Sequence, residues 1–155
     1  MIVVECYLDE FLVKSLGFFK RLIKHEGGKG EVLSKVRKNR IAIGIVDEDP
    51  HSNQPSEMQR YIERETSHTV KLLVRKDDDR KRIIQISPYL EHWLLHRARQ
   101  NQILPKDFGL PDTPKTMHDV PHIERSRNFQ NFLNKLIKVD DEANTLKKWI
   151  KEAIE

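Results

Sequence analysis

Ile41-Ala42-Ile43-Gly44-Ile45-Val46-Asp47-Glu48-Asp49-Pro50 is the stretch that decides the fold. Both faces of its first half are apolar, the mark of a strand buried on two sides, as in parallel sheets. The apolar run then breaks into an acidic triplet and a proline, which turns the chain. Upstream, Ile2-Val3-Val4 is a short β-branched strand that ends at Glu5. Between the two, Leu8, Phe11, Leu12, Leu16, Phe19 and Ile23 fall on one helical face, which predicts a helix running to Gly27-Gly28. Gly30-Glu31 opens a shorter helix carrying Val32, Leu33 and Val36. Strand, helix, strand makes a βαβ-like unit, for which a right-handed crossover is expected.

Downstream, His51 to Gln54 read as a polar loop, and Pro55 starts an expected helix to about Glu65. Val70 to Val74 and Arg82 to Ile86 are two more strands, joined as a hairpin through Lys76-Asp77-Asp78-Asp79-Arg80. Pro88 suits the first turn of a helix to about Gln102. The proline-rich stretch Leu104 to Pro121 reads as an irregular loop or lid. Phe129, Phe132, Leu133 and Leu136 mark one amphipathic helix, and Leu146, Trp149, Ile150 and Ala153 a second. The expected fold class is α/β: a mostly parallel central sheet of about four strands, flanked by helices, with a helical C-terminal extension. One domain spans 1–155, with its core at about 1–103 and a loop and C-terminal helices over 104–155.

Composition agrees. With 155 residues, 37% apolar and 34% charged, the chain can build one core under a charged surface. No apolar run is long enough to span a bilayer and no leader pattern opens the chain, so a cytoplasmic location is expected, with no membrane partner. Cys6, the only cysteine, excludes an intrachain disulfide and a multi-cysteine zinc site. The net charge of +4 leaves nucleic-acid binding open without indicating it.

The chemistry lies in the carboxylates. Ligands of parallel α/β sheets bind beyond the carboxyl ends of the strands. Glu5 ends the first strand and Asp47 the second, so neighbouring strands would bring them to one edge. Asp47 and Asp49, two apart, can face one ligand with Glu48 turned away, and Asp9 lies near the start of the first helix. Carboxylates gathered at one edge repel each other. A hard cation with oxygen ligands, Mg²⁺ or Mn²⁺, is the simplest neutraliser, and two such ions can clamp a phosphodiester. The competing explanation is an ordinary turn initiated by Asp49-Pro50.

"VVECYLDEFLVKSLG" followed by "IAIGIVDEDP" resembles the Toprim fold of topoisomerases, primases and a class of nucleases. Its pattern is a glutamate ending the first strand and Asp-x-Asp ending a later one, which Glu5, Asp47 and Asp49 match. The closer similarity is to the Toprim domains of the overcoming-lysogenization-defect (OLD) nucleases and their small stand-alone relatives. Gly27-Gly28-Lys29-Gly30 matches a stretch they carry before the second strand, and Leu90-Glu91-His92-Trp93-Leu94-Leu95 matches one of their helices. The resemblance covers roughly residues 2–96, and Cys6 stands where glycine is usual. It implies Glu5, Asp9, Asp47, Asp49 and Glu91 as metal ligands, with Glu5, Asp47 and Asp49 catalytic. It further implies Mg²⁺- or Mn²⁺-dependent hydrolysis of nucleic acid, DNA ahead of RNA, in phage defence or DNA processing, and an ATPase partner. The alternative is a non-catalytic Toprim-like module that binds nucleic acid or a protein.

Other features have two explanations each. Gly27 to Gly30 can cradle a phosphate with Lys29, or simply stop one helix and start another. His92 and His96 share a helical face, but no third zinc ligand is evident; one of them is expected to line the acidic edge. His118 and His122 belong to the lid or to a plain surface loop. Lys135, Lys138, Lys147 and Lys148 are the candidates among which a charge-offsetting lysine cannot be chosen. A phosphotransfer receiver would need a lone acceptor aspartate on a later strand, an order not found here.

Overall fold

Along the strand Ala42–Asp47, Ile43 and Ile45 enter one apolar cluster while Ala42 and Val46 enter another, and all are buried. The strand is therefore covered on both faces. The computed structural model describes residues 1–155. Its strands are β1 (Ile2–Val4), β2 (Ile23–His25), β3 (Ala42–Asp47), β4 (Tyr61–Ser67), β5 (Val70–Arg75) and β6 (Asp78–Ile86). They form one sheet of order β2-β1-β3-β6-β5-β4. β1 pairs in parallel with β2 and β3, β3 pairs in parallel with β6, and β5 runs antiparallel to both β6 and β4. The sheet is thus six-stranded and mixed, where about four strands were expected.

The helices are α1 (Tyr7–Ser15), α2 (Lys29–Lys38), α3 (Leu90–Gln100), α4 (Pro114–His118), α5 (Arg127–Val139) and α6 (Asp141–Ile154). α2 covers one face through Val32, Leu33 and Val36 against Val3, Val46 and Ile83. The other face packs against α1, α3, α5 and α6, and its cluster joins Ile2 and Val4 to Trp93, Phe129, Phe132 and Trp149. The C-terminal helices therefore supply part of the layer that buries the first strand. No helix is long and apolar enough to cross a membrane.

Two expected helices differ. The first stops at Ser15, because Gly17 takes φ +103° and breaks the ladder. Ile23, six residues on, then pairs with Ile2 as the start of β2. Leu16, Phe19 and Ile23 mimic a helical period only because the turn happens to bring them back to the sheet. The second, Pro55 to Glu65, is a 3₁₀ turn over Ser56–Arg60 followed by β4. Its helix-forming residues lose to a ladder with β5, and β4 is exposed along most of its length as an edge strand. Leu104 to Pro121 holds a 3₁₀ turn at Pro105–Phe108 and α4, whose N-cap is Thr113.

α6 is pinned by a buried ion cluster. Arg97 of α3 reaches Asp140 at 2.7 Å and Glu142 at 3.1 Å, while Asp140 also caps α6 by accepting from the Ala143 N–H at 2.9 Å. Arg97 neutralises both carboxylates by charge, but neither Glu142 oxygen has a hydrogen-bond donor, and burial pushes the Glu142 carboxyl up.

At Gly44 a Cβ atom would meet Val32 Cγ1 at 2.7 Å and Ile83 Cδ1 at 2.8 Å. Gly44→Ala should therefore destabilise the fold by about 1–3 kcal/mol, measured by urea unfolding. Gly30→Ala, inside α2 with open space around it, should be neutral or stabilising by up to about 1 kcal/mol. Equal effects at the two glycines would contradict this account of the β3–α2 contact.

Candidate metal centre

The parallel pairing of β1 and β3 aligns Val4 with Ile45, so the residues after each strand leave the sheet at the same edge. Glu5 follows β1 and Asp47 is the last residue of β3, so both stand at that edge, and the Asp47 N–H donates to Glu5 Oε2 at 3.1 Å. Asp9 sits in the first turn of α1 and is buried. It closes a capping box: the Cys6 N–H donates to Asp9 Oδ2 at 3.2 Å, and Cys6 Sγ accepts from the Asp9 N–H at 3.5 Å. Cys6 is thus an N-cap, doing with sulfur what serine usually does with oxygen.

Asp49 adopts the left-handed conformation, φ +50°, which aspartate tolerates better than most residues. Several contacts hold it there, among them the Ser52 N–H donating to Asp49 O at 3.1 Å. The Tyr89 hydroxyl donates to Oδ1 at 2.8 Å, the Asp49 N–H donates to Pro88 O at 3.1 Å, and Gln54 Nε2 donates to Asp49 O at 3.1 Å. Glu91, in the first turn of α3, pairs through Oε1 with His118 Nδ1 of α4 at 3.0 Å. Glu5, Asp9, Asp47, Asp49 and Glu91 all line one cavity of about 750 Å³.

Lys29 opens α2 beside this cavity. Its Nζ donates to Glu48 O and to Gln54 Oε1, both at 2.7 Å. The backbone of Glu48, not its carboxylate, is what this loop turns toward the lysine. Burial raises the Glu5 pKa, and the Asp47 N–H and the charge of Lys29 only partly offset it. Gly27 and Gly28 line the cavity wall.

Burial pushes the Asp47 carboxyl up to about 9, reinforced by the charges of Asp9, Glu5 and Glu91. Burial likewise pushes Asp9 up to about 7, with Glu5 and Glu91 adding to it against the Cys6 hydrogen bonds. Asp49 is held below its usual value by hydrogen bonds from Ser52 and Tyr89. As the side chains stand, no three metal-binding groups are drawn around one ion-sized point. Four of the carboxylates are engaged with protein donors, whereas Asp47 Oδ1 is buried with no partner at all. That orphaned oxygen, among acidic neighbours offering only oxygen donors, fits a hard divalent cation.

Other candidates fall differently. Lys135, Lys138, Lys147 and Lys148 do not line the cavity, and Lys115 does. His92 lines both this cavity and a neighbouring cleft, where His96, one turn on, also lies, but no third ligand gathers with the pair, so they do not frame a zinc site. The Leu104–Pro121 stretch supplies the wall Thr113, Pro114, Lys115 and His118. Tyr89, Gln54 and Lys115 carried no signal in the sequence, since each reaches the site from a turn or from a distant element, and of the two histidines read as lid or surface loop only His118 lines the cavity.

Comparison with protein-family models, curated proteins and solved structures finds no match. The geometry of the cavity is therefore what function must be argued from.

A carboxyl whose pKa is higher folded than unfolded binds its proton more tightly in the folded state. Its contribution is fully present below the unfolded value and is lost as pH rises through the folded one. Without divalent cation, the melting temperature should fall as pH rises from the ordinary aspartate value of about 4, the Asp9 part ending near pH 7 and the Asp47 part near pH 9. Asp47→Asn should flatten that fall and stabilise the protein at pH 8 by at least about 1 kcal/mol, roughly 2–4 °C. Millimolar Mg²⁺ should raise the wild-type melting temperature at pH 8 and leave the variant unmoved. A wild type indifferent to both pH and Mg²⁺ would remove the acidic cavity as a cation site.

Proposed function

We propose that this chain is a Toprim-like protein that hydrolyses phosphodiester bonds in nucleic acid with Mg²⁺ or Mn²⁺. The observation that carries the reading is the gathering of Glu5, Asp9, Asp47, Asp49 and Glu91 around one cavity at the carboxyl ends of adjacent parallel strands, with Asp47 Oδ1 buried and unpaired. Glu5, Asp47 and Asp49 would hold the first cation, with Asp9 and Glu91 beside it or on a second. A bound divalent cation supplies Lewis acidity to a phosphoryl oxygen and lowers the pKa of water.

The chain's own groups do the rest. The Cys6 N–H orients the Asp9 carboxylate, and the Tyr89 hydroxyl that of Asp49. Lys29 and Lys115 bring positive charge toward a phosphate entering the cavity. Thr113, Pro114 and His118 form one wall of the cavity. The resemblance in the sequence supports phage defence or DNA processing as the setting, DNA ahead of RNA as the substrate, and an ATPase as the partner.

A second reading has its own support. Because four of the five carboxylates already bond to protein donors, the cluster can serve as a structural knot in a non-catalytic module that binds nucleic acid or a protein. One assay separates the two: labelled single- and double-stranded DNA and RNA with Mg²⁺ or Mn²⁺, beside Asp47→Ala/Asp49→Ala. The hydrolase reading expects cation-dependent cleavage that falls about a hundredfold or more in the variant. Binding without cleavage, equal in both proteins, supports the module instead.

A further inference from the structure

A second, smaller cleft opens between the β5 and β6 ends and α3, with a volume of about 270 Å³. Three of its lining side chains each bury a polar atom that has no partner: Thr69 Oγ1, Ser87 Oγ and His96 Nδ1. Thr69 precedes β5 and Ser87 follows β6, and the Ser87 N–H bonded to Thr69 O at 2.8 Å holds the two residues side by side. Arg99, exposed on α3, stands at the same cleft.

The chemistry of this set is one-sided. Arg99 can only donate, and the two hydroxyls and the imidazole, which can also accept, donate to an anion once the hydroxyls rotate and His96 takes its Nδ1–H tautomer. The one carboxylate at the cleft, Asp112, is paired with Lys106 at 3.2 Å. A cation would meet Arg99 and find no anionic ligand free. Buried donors left unpaired are unfavourable unless something accepts from them, and several around one cleft call for a ligand with several acceptor oxygens. A phosphate oxyanion has the right charge and acceptor count.

The cleft is not isolated. His92 and Pro114 line both it and the acidic cavity, so the two share a wall. Ser87 and Tyr89 sit on the same short connection from β6 to α3, one serving each site. We propose that this cleft is an oxyanion subsite that holds one phosphate of a nucleic-acid strand while a neighbouring phosphate is presented to the acidic cavity. The choice of a strand rests on the phosphodiesterase reading; the oxyanion chemistry of the cleft does not.

The test is binding without divalent cation, so that no cleavage enters. Inorganic phosphate is titrated into the full chain while the NMR resonances of Thr69, Ser87 and His96 are followed. A labelled single-stranded oligonucleotide is titrated by fluorescence anisotropy against wild type, Arg99→Gln and Thr69→Val/Ser87→Ala. The proposal expects phosphate-dependent shifts at the three residues and oligonucleotide binding weakened about tenfold in each variant. The double variant should melt at the same temperature as wild type or higher, because it removes hydroxyls that are unpaired in the free protein; a purely structural role predicts a lower one. Resonances unmoved by phosphate would overturn the subsite. Phosphate shifts with oligonucleotide binding absent, or unchanged in the variants, would assign the cleft to a small phosphate compound and overturn the strand. Loss of the hydrolase reading in the cleavage assay leaves these binding results standing, so the two ideas fail separately.

Discussion

Parallel pairing of β1 with β3 is the constraint on which the site depends. It forces Glu5 and Asp47 to leave the sheet side by side, close enough for the Asp47 N–H to reach the Glu5 carboxylate at 3.1 Å. The pairing is itself secured by burial on both faces. Ile43 and Ile45 enter the large core while Val46 faces α2, and Gly44 lets α2 approach so closely that no Cβ fits. A strand locked this tightly cannot relax its last residue away from its neighbours. The consequence is electrostatic: carboxylates are held together out of water, and their protons are retained well past the usual range.

α3 organises the rest. Leu90, Trp93, Leu94 and Ala98 anchor it in the core, and Arg97 ties it to the start of α6 through Asp140 and Glu142. With those faces fixed, the remaining side chains have fixed destinations. Glu91 and His92 face the acidic cavity, and His96 and Arg99 face the smaller cleft one turn further on. A donor-lined cleft beside an acid-lined cavity, on one rigid helix, is an arrangement suited to a ligand with repeated anionic groups.

The parts that were legible in the sequence are those whose neighbours along the chain already reveal their surroundings. A strand apolar on both faces must be central, and a charged residue at its end must stand at a sheet edge. So β3 was readable, and Glu5, Asp9, Asp47 and Asp49 could be named from strand ends and their neighbours, whereas Glu91, on a helix, was named only through the family resemblance. β2 and β4 were not readable for a shared reason. Both are edge strands, buried along little of their length, and they lack the apolar pattern that marks a strand. Ile23 kept a helical spacing from Leu16 that only the turn at Gly17 undoes, and the charged run of β4 carries helix-forming residues that the ladder with β5 overrides.

The sequence by itself determined that acidic residues would stand at the ends of buried strands, because the alternation of apolar side chains is a local property. Only the tertiary structure decided how those residues are engaged. Tyr89 and His118 reach Asp49 and Glu91 across long stretches of chain, while Gln54 folds back on the Glu48–Asp49 backbone within one turn, and such contacts leave no mark on the apolar pattern. The unpaired hydroxyls of Thr69 and Ser87 belong to the same class. Nothing in either neighbourhood sets them apart from surface turn residues until the β5–β6 pairing and α3 close around them.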